Sequence, residues 1–340
     1  MLTTGCQKWS DTDVDQSEAT MHRWGIVGTG DISGRLVSDL LQVVPGAVSG
    51  VWGRTEQRAR AFADEHGIAF STSSRDALWA RDDVDVVYIA TPATTHADIA
   101  VEALRAGKHV LVEKPIATSE ADVARIFDAA REAGRFAMEA MWMRFNPLHV
   151  EIIDRIRSGL LGDVHSVRAS FGTPFQARGD KLTPAQGGSI LLDRGIYPLT
   201  LAHWFLGEPT AIHAEGSFLD GVDVRGHATL EAATGFAQLA WSGTEFLDLS
   251  ATISGDRGWV TIDPMFWAGT RARVHAGSAG RIFGDPEIVE HPRVGNGYGP
   301  MLAAVVSALD DGLREHPWHD RHDTLRIART MDIVRGRITA

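Results

Sequence analysis

Cysteine is almost absent from this chain: Cys6 is the only one in 340 residues. A lone thiol closes no internal disulfide, which excludes a disulfide-held scaffold and points to a reducing, cytoplasmic compartment. Basic runs are also missing. With a net charge of −11, no nucleic-acid partner is expected, and any phosphate site must be built locally. The longest apolar runs are far too short to span a bilayer, so no membrane partner is expected. Thr3-Thr4-Gly5-Cys6 has the outline of a lipoprotein cleavage site, yet no apolar stretch precedes it and no signal peptide is expected. Metal-ligand spacing is lacking too. His316-Pro317-Trp318-His319-Asp320-Arg321-His322 is the nearest approach, but it matches no zinc pattern and Pro317 breaks helical register, so a polar loop without metal is expected. Tyrosine is scarce, with three in the chain, which makes each one worth tracing.

What is present is enough for two globular domains: 44% of residues are hydrophobic and 23% charged. Residues 1–20 stand apart. They carry Asp11, Asp13, Asp15 and Glu18 against Lys8 and few apolar residues, the composition of a flexible tail. The native start is then either Met1 or Met21.

From residue 23 to about 140, strand and helix patterns alternate. Strands are expected at 24–28, 47–52, 84–90, 109–112 and 135–139, and helices at 32–44, 55–66, 94–106 and 119–133, the last with Ser119 as N-cap. Such alternation predicts an α/β fold, a doubly wound parallel Rossmann sheet over 21–140. Beyond 141 the pattern changes. Helices at 147–157 and 190–205, a strand at 164–171, strands with turns over 211–274, and closing helices at 299–313 and 324–334 predict an α+β domain over 141–340. Its sheet is mostly antiparallel and open, which leaves a face for association, and its last helices are able to pack back on the first domain.

Gly28-Thr29-Gly30-Asp31-Ile32-Ser33 lies between the first strand and the first helix. The glycines permit a tight turn and close approach of a pyrophosphate, which the free N–H groups of the helix then face. Ser33 stands where a third glycine is usual. About 20 residues on, where an NAD enzyme carries an acidic residue, the chain has Gly53-Arg54-Thr55 with Arg58 a turn later. Guanidinium groups pair with a 2′-phosphate, so NADP is the expected cofactor, with NAD as the alternative. Glu113-Lys114-Pro115 follows the strand expected at 109–112, at the carboxyl edge where open α/β sheets bind ligands.

Together with Thr91-Pro92, His96, the run from Met138 to Phe145 and the run Gly187-Gly188-Ser189-Ile190-Leu191-Leu192-Asp193-Arg194-Gly195-Ile196-Tyr197-Pro198, these motifs resemble the glucose–fructose oxidoreductase / inositol dehydrogenase / rhizopine catabolism family. The resemblance runs from residue 23 to the C-terminus and is nearest the dihydrodiol dehydrogenase and D-xylose dehydrogenase branch. It implies an NAD(P)-dependent dehydrogenase acting on CH–OH groups of an aldose, a sugar derivative or a vicinal diol, and a homodimer. It implies cofactor contacts at Gly28–Ile32, Arg54, Arg58, Thr91, Pro92, His96, Glu113 and Lys114, and a substrate pocket lined by Trp142, Arg144 and Phe171. Many relatives carry histidine where this chain has Tyr197. The departure points away from an inositol-type histidine and toward Tyr197 as proton donor and acceptor, with Lys114 and Asp193 beside it. Moving a hydride from a carbinol carbon requires moving the hydroxyl proton too, and a nearby Lys114 ammonium lowers a tyrosine pKa. Two other readings are a cofactor-sensing regulator that has lost catalysis and an oxidoreductase that keeps NADP bound while coupling two sugars. The intact Lys114, Asp193 and Tyr197 argue against the first, and the lack of an export signal or wrapping arm against the second.

Overall fold

The computed structural model describes residues 21–174, 183 and 187–338; the expected tail over 1–20, with Cys6, lies outside them. The first domain runs β1 (Trp24–Val27), α1 (Asp31–Val43), β2 (Val48–Trp52), α2 (Glu56–His66), β3 (Phe70–Thr72), α3 (Arg75–Trp79), β4 (Val86–Ile89), α4 (His96–Arg105), β5 (His109–Val112), α5 (Glu120–Ala133) and β6 (Ala137–Glu139). Its strands form one parallel sheet in the order β3-β2-β1-β4-β5-β6, the doubly wound arrangement whose order reverses between β1 and β4. β1 and β4 are buried at every residue, as their unbroken apolar runs require of strands covered on both faces. Helix ends follow local chemistry. Thr55, Ser74 and Ser119 accept N–H bonds as N-caps, and Gly67 and Gly134 end α2 and α5 in left-handed conformation. β3 and α3 are elements that the sequence pattern does not mark, because three and five residues are too few to show a period.

The second domain begins with α6 (Pro147–Arg157), capped by Asn146 with proline in the first turn. It continues with β7 (Val164–Gly172), a π-helical turn (Leu191–Gly195) and α7 (Ile196–Leu206). There follow β8 (Ala211–Leu219), β9 (Val222–Ala232), β10 (Gly235–Ser242), β11 (Ala251–Gly255), β12 (Gly258–Ile262), β13 (Arg271–Ala276), α8 (Ala279–Phe283), β14 (Glu287–Glu290), α9 (Gly299–Asp310) and α10 (Arg321–Arg337). The eight strands are ordered β14-β13-β12-β11-β7-β10-β9-β8, antiparallel throughout except that β7 and β10 run parallel. α7 is apolar on nearly every side, as befits a helix enclosed between this sheet and the rest of the chain. Val167, Ala169, Ala237, Leu239 and Trp241 form the buried face of the sheet. α9 lies against α1, and α10 against α5, where Glu120 N–H donates to Asp332 and Arg329 pairs with Glu120.

Candidate active site

Gly28 closes β1 with φ of 115°, and a Cβ there would stand 2.5 Å from the Ala90 carbonyl oxygen, so only glycine fits. A Cβ on Gly30, the N-cap of α1, would meet nothing within 4 Å. The first turn of α1 is therefore an open cradle with its N–H groups outward, which suits a pyrophosphate. Ser33 is fully buried, small enough to keep helix and strand close. Arg54 and Arg58 are both exposed at the carboxyl end of β2, with Thr55 capping α2 between them. Gly53 is held by packing: a Cβ there would lie 2.8 Å from Ala59 N and 3.1 Å from Thr29 Cγ2. After β4, Thr91 and Thr95 share a hydroxyl bond of 2.7 Å and Thr95 also donates to the Pro92 carbonyl, which shapes the neighbouring wall.

At the end of β5, Glu113 is buried and accepts the Tyr88 hydroxyl at 2.6 Å and the Lys114 N–H at 3.1 Å. Burial first, and the Glu113 charge next, hold Tyr88 well above the ordinary tyrosine range. Lys114 projects across to the second domain. Its Nζ donates to the Asp193 carbonyl oxygen at 2.8 Å and to Asp193 Oδ1 at 3.3 Å, and lies 4.9 Å from the centre of the Tyr197 ring. Burial alone would depress its pKa, but Asp193, Tyr197 and Glu113 outweigh that and raise it, so the ammonium stays charged.

Tyr197 is buried in the first turn of α7, and its hydroxyl accepts Trp142 Nε1–H at 3.1 Å. Beside it stands an aromatic wall. Phe171 and Trp267 stack at 3.5 Å and 6°, and the Tyr197 ring lies 5.8 Å from the first and 6.3 Å from the second. The Arg194 guanidinium sits 5.2 Å from the Phe171 ring and donates to the carbonyls of Thr173 and Ser242, joining the ends of β7 and β10. Tyr298, just before α9, is buried 5.5 Å from the Trp142 ring. Its backbone N–H is held by Asp39 of α1, whose carboxylate also accepts from Asn296. All three tyrosines of the chain thus gather around Glu113, Trp142 and Lys114.

Two family models match the chain: an oxidoreductase family with an NAD-binding Rossmann fold over residues 22–141, and the GFO/IDH/MocA C-terminal domain over residues 149–261. The chain belongs to the GFO/IDH/MocA family. It is 34% identical over 319 residues to trans-1,2-dihydrobenzene-1,2-diol dehydrogenase of Xenopus laevis, covering 91% of this chain and 96% of the relative. It is 31% identical over 322 residues to D-xylose 1-dehydrogenase (NADP(+)) 2 of Haloferax volcanii, covering 92% and 95%. Among solved structures, an aldose-aldose oxidoreductase of Caulobacter crescentus complexed with glycerol superposes with a TM-score of 0.83 at 26% identity, covering 93% of this chain and 97% of that one.

Within this GFO/IDH/MocA oxidoreductase, the structure brings Lys114, Asp193, Tyr197, Trp142 and Phe171 together, while three other expectations differ from what it shows. His96 does not face the cradle. It is buried, with Nδ1 2.9 Å from the Pro115 carbonyl oxygen and Nε2 2.8 Å from that of Thr91, so it fastens one loop to the other. Burial pulls it below the usual histidine range. Both partners are acceptors, so a neutral ring donates to one of them only. Arg144 is also turned to other partners and is buried. Its guanidinium is enclosed between Trp204 and Trp318 and Nε donates to the Trp318 carbonyl, while burial lowers its pKa to about 10. Finally, Tyr197 is raised rather than lowered. Burial is the largest cause, and Lys114 and the Trp142 bond only offset part of it.

The His316–His322 segment is likewise more than a polar loop: His319 is fully buried and bonds Glu139 at 2.8 Å. Among the described residues, Asp320, His322 and Asp323 are close enough to share an ion, but Asp320 caps α10 and Asp323 pairs with Arg326. Trp267 and Tyr298 escape sequence reasoning because each lies far along the chain from every motif. Trp267 follows a short bend between β12 and β13, and only the three-tyrosine count pointed to Tyr298. No helix among the described residues is long and apolar enough to cross a membrane.

Proposed function

We propose that this protein is a cytoplasmic, homodimeric NADP-dependent dehydrogenase that oxidises the carbinol carbon of an aldose, a sugar derivative or a vicinal trans-dihydrodiol, and reduces the matching carbonyl. The observation that carries the reading is the convergence of Tyr197, Trp142 Nε1–H and the Lys114 ammonium beside a stacked Phe171–Trp267 wall. The nicotinamide cofactor, when bound, supplies the hydride donor or acceptor. The chain's own residues do the rest. Gly28–Ile32 would hold the pyrophosphate, and Arg54 and Arg58 the 2′-phosphate. Phe171 and Trp267 offer π-faces to the C–H face of a sugar or to a diol ring. Tyr197 takes the hydroxyl proton in oxidation and returns it in reduction, with Lys114 charged throughout. The branch relatives, named for a dihydrodiol and for D-xylose with NADP, support the substrate class. A homodimer through the outer face of the eight-stranded sheet is supported by exposed Phe236 and by Trp259 stacked on His275 there.

The direct test follows NADPH formation across aldoses, inositols and vicinal diols. Turnover is expected with an aldose or diol, and turnover confined to inositols would overturn the reading. For the cofactor, Arg54→Ala with Arg58→Ala is expected to weaken NADP binding by about 10²-fold, on the scale of two lost charge-assisted contacts, and NAD binding by little. Equal losses for both cofactors in fluorescence titrations would remove the 2′-phosphate argument.

A further inference from the structure

The segment that carries Lys114 out of β5 has no regular structure, yet three of its backbone groups, on two peptide planes, are held by side chains. Lys114 N–H donates to Glu113 Oε2 at 3.1 Å. The next peptide plane but one is gripped at both ends: the Pro115 carbonyl oxygen faces His96 Nδ1 at 2.9 Å, and the Ile116 N–H donates to Glu139 Oε1 at 2.9 Å. Glu139 ends β6 and is 2% exposed; its other oxygen meets Nε2 of His319, which is 0% exposed. His319 comes from the turn before α10, where its backbone N–H is bonded to the His316 carbonyl. A buried carboxylate is costly, and an apolar pair of similar volume usually supports a fold as well or better. The placement of this one, with its oxygen on a peptide plane two residues from Lys114, accounts for its presence by what it holds.

We propose that Glu139, seated by His319, is a positioning residue for Lys114. By fixing the Pro115–Ile116 peptide plane, it sets the direction in which the lysine leaves β5. A long flexible side chain is thereby aimed at Asp193 and the Tyr197 ring. The sensitivity is plausible in magnitude, since a displacement of about 1 Å at a reacting group costs on the order of 10²-fold in rate. The inference rests on the proposed roles of Lys114 and Tyr197.

Glu139→Ala tests it, measured on the best substrate of the panel. Turnover is expected to fall about 10²-fold. The pH midpoint of substrate oxidation should move upward, because a misplaced ammonium lowers the Tyr197 pKa less. Substrate KM and NADPH binding should stay within about threefold of wild type, as for a loss confined to the transition state. Glu139→Gln should recover most of the activity. Its amide oxygen can accept from Ile116, and its NH₂ can donate to His319, whose Nδ1 meets no partner among the described residues and can carry the ring proton. Should Glu139→Ala not accumulate in soluble form, His319→Asn decides alone, with a smaller loss and the same upward shift expected. A soluble variant that keeps the wild-type midpoint overturns the proposal, even if its melting temperature and rate both drop, because a merely structural role would do that. Tyr197→Phe on the same substrate separates the two layers. If it keeps turnover, the functional reading fails; if it is inactive while Glu139→Ala is unimpaired, only this inference fails.

Discussion

Tyr197→Phe is expected to lower turnover by about 10²–10⁴-fold, the range of a lost general acid or base, while NADPH binding changes little. The substitution removes one oxygen and leaves the ring among Phe171, Trp267 and Lys114, so packing is preserved. The direction of the Tyr197 pKa gives the wild-type enzyme an asymmetric pH response. Burial raises it above the ordinary tyrosine value, and the Lys114 charge and the Trp142 bond bring it only part of the way back. With Tyr197 in its proposed role, carbonyl reduction would need the protonated phenol, which is present through the neutral range and is lost only as pH rises through the raised pKa. That rate should therefore be flat near neutrality and fall at high pH. Oxidation needs the phenolate, so its rate should climb with pH toward the same point. Phenylalanine should abolish both dependences together. Full activity in the variant, or an oxidation rate that does not climb with pH, would remove tyrosine from the proton step.

Much of this was legible in the sequence because the first domain is built from local patterns. β1 and β4 are unbroken apolar runs, β5 is apolar after His109, Gly28 marks a turn that no side chain can occupy, and Ser119 and Gly134 bracket α5. The clustering of Lys114, Asp193 and Tyr197 was legible for a related reason, since each lies inside a short motif. What escaped was whatever depends on long-range packing. A histidine next to a cofactor motif reads the same whether it faces the ligand or, like His96, turns inward to two carbonyls. Arg144 reads as a pocket cation until Trp204 and Trp318 are seen to enclose it. Glu139 and His319 are 180 residues apart, and no spacing rule joins them. The sign of the Tyr197 shift escaped for the same reason. Charge proximity can be argued from motifs, but desolvation is set by every element packed around the hydroxyl, including Tyr298 and Trp142 from distant segments.

Lys114→Met is expected to produce the second large loss, on the order of 10²–10³-fold in turnover, and to act through Tyr197 rather than through the shape of the pocket. Methionine keeps most of the apolar stem and removes the ammonium. Three consequences follow from the contacts. Asp193 loses the donor to its carbonyl and carboxylate oxygens. Glu113 and Asp193, both of which raise the Tyr197 pKa, are no longer opposed by a cation at the ring. The phenolate needed for oxidation then becomes harder to form, with each unit of upward shift costing about 1.4 kcal/mol, or tenfold at a fixed neutral pH. Oxidation should suffer more than reduction, because the phenol needed for reduction is favoured by the same change. That inequality is the discriminating measurement. A general collapse of the site would depress both directions alike, and a purely substrate-binding lysine would raise KM with turnover at saturation preserved. Lys114→Arg keeps the charge but replaces a compact ammonium with a wide planar fork beside a buried ring, so partial recovery of oxidation at best is expected, with the pH midpoint nearer the wild-type position than in Lys114→Met. If Lys114→Met lowers both directions equally and Lys114→Arg restores nothing, the ammonium is not the tyrosine's electrostatic partner.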